Sequence, residues 1–230
     1  MKEGDFVYVD YVGRLKDNNE IFDLTREDVA KAEGVYNPKL KYKPVVVIVG
    51  GGFAIKGLDD AIKSMHVNEK KTVELEAKDA FGERRAELVK LIPTSQFKEQ
   101  NITPVPGAYV SIGQLRGRIV SVSGGRVKVD FNHPLAGKAL KYEIEIKKQI
   151  TDTKEKVKAV VSYFIGVEDD DFDVSIEDTK KEVEITFKKP VDVPRVVKEM
   201  VAKTLIRWVE NAEKIKFTDV FEKRETAAEK

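Results

Sequence analysis

The residues best suited to chemistry in this sequence are a few aromatic side chains, one aspartate and a glycine-rich turn. The apolar run 45–49 leads through three glycines into residues 53–58, where an amphipathic helix begins. Backbone N–H groups at a helix start are free to donate hydrogen bonds to a ligand. Together with Tyr11, Phe22 and Phe81, this pattern predicts a small apolar pocket without a nucleophile or a metal-ligand set. Such a pocket binds and distorts its ligand.

The composition narrows the class of protein. Of the 230 residues, 41% are hydrophobic and 35% are charged, and the formal net charge of +1 argues against a general polyanion binder. The absence of cysteine excludes disulfides, thiolate catalysis and cysteine-based zinc sites. No apolar run approaches the ~20 residues of a membrane span. We therefore expect a cytoplasmic protein of two or three compact units, with no metal, no cofactor and no membrane contact.

Hydrophobic periodicity predicts an α+β protein. Residues 5–15 alternate as a strand that we expect to break at Gly13, and Thr25 with the three residues after it predicts a capping box at the start of a short helix. Apolar residues at helical spacing follow the glycine turn. The last strand of this sheet, 140–146, comes only after some 50 further residues.

Those intervening residues are too many for one loop. Apolar segments at 88–92, 109–112, 115–122 and 126–129 are joined by glycine turns and predict a small β-rich unit that folds by itself.

The sequence after residue 151 predicts a third unit with the order α/β/β/α/β. Its long helix, 193–209, carries more apolar residues than so small a unit readily covers, so we expect a homodimer through this unit. Residues 226–230 are expected to form a frayed tail.

A set of short motifs runs in order through the first 150 residues. They are Tyr11-Val12-Gly13, Ile21-Phe22-Asp23, Val49-Gly50, Ala54-Ile55-Lys56-Gly57-Leu58, Ala80-Phe81-Gly82 and Asn132-His133-Pro134-Leu135-Ala136-Gly137. In this order they resemble the FKBP-type peptidyl-prolyl cis-trans isomerases, specifically the SlyD-like long archaeal branch with an inserted chaperone domain. The resemblance implies an antiparallel β half-barrel wrapped on a short helix (1–85 and 131–150), a β-rich inserted flap domain (86–130) and a C-terminal α/β domain (151–225).

The resemblance also implies an enzyme that twists X-Pro bonds without a covalent intermediate or a cofactor. The implied catalytic residues are Tyr11, Phe22, Asp23, Ile55, Leu58, Phe81 and Tyr142, and Val45, Ala54 and Leu135 complete the proline pocket. The Ile55 backbone N–H would donate to a substrate carbonyl. Two positions depart from the family pattern: Leu58 stands where tryptophan is common, and Phe81 replaces a flap tyrosine and so removes one hydrogen bond to the substrate.

The inserted unit has its own predicted role. It holds more apolar residues than a unit of its size can bury, so some of them are expected to form an exposed patch that holds unfolded chains. The set consists of Leu88, Val89, Leu91, Ile92, Phe97, Ile102 and Val105, and Leu91, Ile92 and Phe97 are the predicted substrate-binding residues. The alternative is that residues 88–97 pack shut within the insert or a dimer. Capture would raise the local concentration of substrate at the linked pocket. The expected partners are unfolded or proline-containing polypeptides, and nucleic acid is an unlikely partner.

Other interpretations remain open at this point. The hairpin that carries Arg116, Arg118, Arg126 and Lys128 is of a kind that grips phosphate backbones, which would suit a nucleic-acid-binding or ribosome-associated factor. A pure holdase with an idle proline pocket is a third possibility. Asp23 is as compatible with a turn cap as with a catalytic role, and the aromatic residues are compatible with an ordinary core.

Overall fold

The computed structural model describes residues 1 to 221, so the predicted tail at 226–230 lies outside the described residues. The chain forms two compact units. The first comprises Met1–Gly13, Ile21–Val73 and the described residues from Tyr142 onward, and the second comprises Arg14–Glu20 and Glu74–Lys141. Among the helices of residues 1 to 221, none combines the length and apolar character needed to cross a membrane.

The described residues contain twelve strands and five α-helices. In chain order they are β1 (Phe6–Leu15), β2 (Ile21–Leu24), α1 (Glu27–Ala32), β3 (Val45–Ile48), α2 (Lys56–Lys63), β4 (Lys70–Leu75), β5 (Val89–Pro93), α3 (Thr94–Glu99), β6 (Tyr109–Ile112), β7 (Leu115–Ser123), β8 (Arg126–Asp130), β9 (Leu140–Ile150), α4 (Thr153–Ile165), β10 (Phe172–Glu177), β11 (Glu182–Phe187), α5 (Arg195–Trp208) and β12 (Lys214–Asp219).

These strands form three sheets. The five-stranded sheet has the order β2-β1-β9-β4, and β3 pairs antiparallel with β1, with Phe6 opposite Ile48. The inserted residues form a four-stranded sheet, β5-β8-β7-β6, and the C-terminal residues form the three-stranded sheet β10-β11-β12. The predicted α+β class with an extra β-rich unit is confirmed.

The C-terminal residues share one hydrophobic core with the first sheet. Phe6, Val46 and Ile48 of β1 and β3 lie in the same buried cluster as Val160 of α4 and Leu205 of α5. Because one core contains them all, the C-terminal residues belong to the first compact unit. The domain predicted at 151–225 stays a prediction.

Helix α5 leaves part of its apolar surface uncovered. Val201 and Leu205 are buried, whereas Val196, Met200 and Ile206 are exposed. The surplus of apolar surface expected on this helix is therefore present on its outer side. Dimerisation through it stays a prediction.

Thr25 does not form the predicted capping box. Its Oγ1 accepts a hydrogen bond from the Tyr11 backbone N–H at 2.9 Å and donates to Asp10 at 2.8 Å. Helix α1 has Arg26 at its N-cap, without a side-chain capping bond. The hydroxyl therefore ties the end of β2 to β1, a long-range contact that the local pattern does not contain.

The predicted strand break at Gly13 is also absent, because β1 continues through it to Leu15. A Cβ atom on Gly13 would lie 2.7 Å from Cζ of Phe22 and 3.0 Å from Cε1 of Tyr142. The glycine thus allows two aromatic rings to approach the strand closely, which is a common reason for glycine inside a strand.

The glycine turn after β3 is held by Asp59 of α2. The Gly50 backbone N–H donates to both carboxylate oxygens of Asp59, at 2.9 and 3.2 Å. The Lys63 Nζ lies 3.0 Å from the same carboxylate. Asp59 is buried, so this contact fixes the turn from inside the protein.

Replacing Gly13 with alanine is expected to lower the free energy of unfolding by about 1–3 kcal/mol, because the new methyl group overpacks the Phe22 and Tyr142 rings. Urea denaturation measures the change. In a Phe22→Ala background most of this cost should disappear, since the nearest clashing ring is gone. An equal cost in both backgrounds would contradict the packing argument.

The substitution Asp59→Ala is expected to lower the free energy of unfolding by about 1–3 kcal/mol, because it leaves the Gly50 N–H without its acceptor. The neighbouring Asp60, which is exposed, supplies the matched control. Asp60→Ala should change stability by about 0.5 kcal/mol or less. Equal effects of the two substitutions in chemical denaturation would show that the Asp59 contact does not stabilise the turn.

Candidate functional site

Three aromatic rings from different strands meet in the first unit. The ring centroids of Tyr11 and Tyr142 lie 5.9 Å apart at 61°, and those of Phe22 and Tyr142 lie 5.7 Å apart at 85°. Such edge-to-face contacts stabilise a fixed arrangement of rings. Tyr142 is buried, and Tyr11 and Phe22 are half-buried. The three rings, here called the aromatic cluster, form an apolar surface with part of its area open.

Asp23 orients one ring of this cluster. The Tyr11 hydroxyl donates a hydrogen bond to the Asp23 carboxylate at 2.6 Å. Burial, and then Asp23, raise the pKa of Tyr11 far above its ordinary value. The phenol therefore keeps its proton, and its direction is set by the carboxylate.

Two hydrogen-bond donors of the predicted site have no protein partner within residues 1 to 221. They are the backbone N–H of Ile55, the N-cap residue of α2, and the hydroxyl of Tyr142. Burial, followed by the charge of Asp23, raises the pKa of Tyr142, so this hydroxyl also stays protonated. Both groups are available to a ligand.

The remaining predicted pocket residues are divided between the two units. Val45 and Ala54 are half-buried on either side of the glycine turn, and Leu58 is buried in the first turn of α2. Phe81 and Leu135 belong to the second unit. There Phe81 stacks on His133 with a centroid distance of 4.3 Å and an angle of 3°. Their part in the pocket stays a prediction.

In the insert, only one of the three predicted substrate-binding residues is exposed. Leu91 is 60% exposed, whereas Ile92 and Phe97 are buried in the core of the four-stranded sheet. Ile92 and Phe97 therefore belong to the core of this sheet and add nothing to the exposed apolar surface of the insert. The substrate-binding role stays a prediction for all three residues.

Helix α4 adds an aromatic residue that the sequence analysis did not single out. The Tyr163 ring lies 4.9 Å from the Phe53 ring, at 45°. Its phenol also adds to the rise in the pKa of Tyr11, after burial, Asp23 and Tyr142. Phe53 stands two residues before Ile55, so Tyr163 lies beside the loop that carries the Ile55 N–H. No local sequence signal links positions 53 and 163.

Comparison with known proteins gives several similar chains. The "Short-type peptidyl-prolyl cis-trans isomerase" of Methanocaldococcus jannaschii is 35% identical over 147 residues, covering 64% of this chain and 92% of that protein. The "Probable FKBP-type 16 kDa peptidyl-prolyl cis-trans isomerase" of Pseudomonas fluorescens is 33% identical over 108 residues, covering 45% of this chain and 71% of that protein.

The "FKBP-type peptidyl-prolyl cis-trans isomerase SlyD" of Escherichia coli is 31% identical over 106 residues, covering 45% of this chain and 54% of that protein. Residues 90–135 match a family model described as "FKBP26, IF domain". The matches to the first two relatives cover most of the length of those proteins. The family-model match covers the inserted sheet separately. The chain belongs to the FKBP-type peptidyl-prolyl cis-trans isomerase family.

Proposed function

We propose that this chain accelerates the cis–trans isomerisation of X-Pro bonds on the aromatic cluster and that the inserted sheet captures unfolded polypeptides for this reaction. Family membership supports the isomerase activity. The observation that carries the assignment of the site is the meeting of the Tyr11, Phe22 and Tyr142 rings beside an unpartnered hydroxyl.

The reaction needs a surface rather than a reactive group. Amide resonance opposes rotation of the peptide bond with a barrier of ~18–20 kcal/mol. The twisted state has lost much of the amide dipole, so an apolar surface that excludes water favours it over the planar ground state. The aromatic cluster provides such a surface.

Fixed hydrogen-bond donors would hold the substrate while one bond rotates. The Ile55 N–H anchors a substrate carbonyl, and the Tyr142 hydroxyl supplies a second donor. Holding the flanking groups lets binding energy be used on the rotating bond. Because the pKa values of Tyr11 and Tyr142 are both raised, each hydroxyl acts as a donor and gives up no proton.

The inserted sheet has one outward face that suits capture of unfolded chains. In the strand register, Tyr109 stands opposite Arg118, and Leu91 stands opposite Lys128. Leu91 is 60% exposed and Tyr109 is 49% exposed. The buried residues Val127 and Val129 alternate with Lys128 along β8, which places Lys128 and its cross-strand neighbour Leu91 on the outer face. Exposed apolar side chains on one face are typical of a weak polypeptide-binding surface.

Replacing Phe22 with alanine tests the pocket. We expect kcat/KM for a proline-containing tetrapeptide, followed in a protease-free assay, to fall by about tenfold or more, since one aromatic contact is worth on the order of 1 kcal/mol and the pocket also opens to water. Phe221→Ala, at a phenylalanine that is 80% exposed, is the matched control and should leave turnover unchanged. Full activity of Phe22→Ala would reject this site.

The double substitution Leu91→Ser/Tyr109→Ser tests capture by the insert. Tetrapeptide turnover should stay at the wild-type value, whereas catalysis of a proline-limited protein refolding reaction should slow by about tenfold, because the effective concentration of the client at the pocket is lost. Lys128→Ser on the same face is the control. Equal loss in the two assays would contradict a separate capture role.

A further inference from the structure

A groove in the first unit shares one lining residue, Val45, with the predicted proline pocket. Its volume is about 610 Å³, and its lining includes Val45, Tyr8 and Tyr163. One wall of the groove comes from α4, a helix that lies beyond the half-barrel in the sequence.

The aromatic wall of this groove is held in place before any ligand arrives. The Tyr163 and Phe164 rings lie 5.0 Å apart at 88°, and the Phe53 and Phe164 rings lie 5.9 Å apart at 72°. Phe164 and Phe53 in turn pack against the core that α4 shares with β1 and β3. Tyr163 is 47% exposed, so one part of its ring is fixed by packing and the other part faces solvent.

The segment before β3 is tied to Glu168, which also lines the groove. Lys41 and Lys43 both pair with Glu168, the latter at 2.9 Å. Lys147 pairs with Glu145 at 2.9 Å, and Lys148 pairs with Glu155 at 2.7 Å. Because these lysines have carboxylate partners, the groove offers little free positive charge. Its occupant is therefore expected to be a polypeptide bound by aromatic and backbone contacts rather than a polyanion.

We propose that Tyr163 contacts the substrate, its exposed ring binding residues that flank the proline in longer polypeptides. The inference rests on the proposed isomerase function and extends it, because it assigns to α4 a part in selecting substrates by length. A short peptide that fills only the proline pocket does not reach Tyr163. A longer chain runs from the pocket past Val45 into the groove, where the ring adds one contact.

The test compares two substrates on the full chain. One is a proline-containing tetrapeptide, and the other is a peptide of about twelve residues with the same central sequence, long enough in extended form to leave the pocket. Tyr163→Ala and Tyr163→Gln are each expected to lower kcat/KM for the longer peptide by about three- to tenfold, the size of one aromatic contact. Tetrapeptide turnover should stay within about twofold of wild type.

Two further variants control the comparison. Tyr163→Phe keeps the ring and should retain turnover of the longer peptide. Lys154 is an exposed residue of α4, and Lys154→Ala should leave the turnover of both peptides unchanged. If Tyr163→Ala and Tyr163→Gln lowered kcat/KM equally for both peptides, or left kcat/KM for the longer peptide unchanged, the role of Tyr163 would be overturned while the isomerase assignment stands. A wild-type chain that turned over neither peptide would overturn the proposed function and this inference with it.

Discussion

The close approach of the Phe22 and Tyr142 rings to the backbone of Gly13 is the constraint on which the candidate site depends. With no side chain at Gly13, the two rings come close enough to β1 that a methyl group there would lie 2.7 Å from Phe22. Tyr11 joins them from the same strand and is turned by Asp23. The site is therefore built by packing, and an isomerase that works by excluding water needs that packing more than it needs a reactive side chain.

The loop that would anchor the substrate is held by buried contacts in the same way. Asp59 fixes the Gly50 end of the turn from α2, and Phe53 is packed by Phe164 of α4. Both ends of the loop are thus fixed by groups outside it, which leaves the Ile55 N–H free and pre-positioned. Pre-positioning of donors lowers the cost of holding a substrate while its peptide bond turns.

Much of the fold was predictable because the local periodicity of apolar residues indicates which segments form strands and which form helices. Strands β6 and β8 begin and end near the predicted residues, and helix α5 lies within the range predicted from its apolar residues. The insert was predictable because so many residues cannot form one loop. The cluster of Tyr11, Phe22 and Tyr142 was proposed from ordered motifs, which fix residue identity along a chain but carry no distances.

The sequence by itself determined the fold class, the order of elements and the family, since each follows from composition, spacing or motif order, and through the family resemblance it proposed the aromatic residues of the candidate site. Only the tertiary structure decided that Thr25 bonds to β1 instead of capping α1, that Ile92 and Phe97 are buried, and that Tyr163 lies beside Phe53. Each of these is a contact between residues distant in sequence or a choice of which apolar face is covered. Local patterns hold no information about such contacts, because packing in three dimensions selects among faces that look equivalent along the chain.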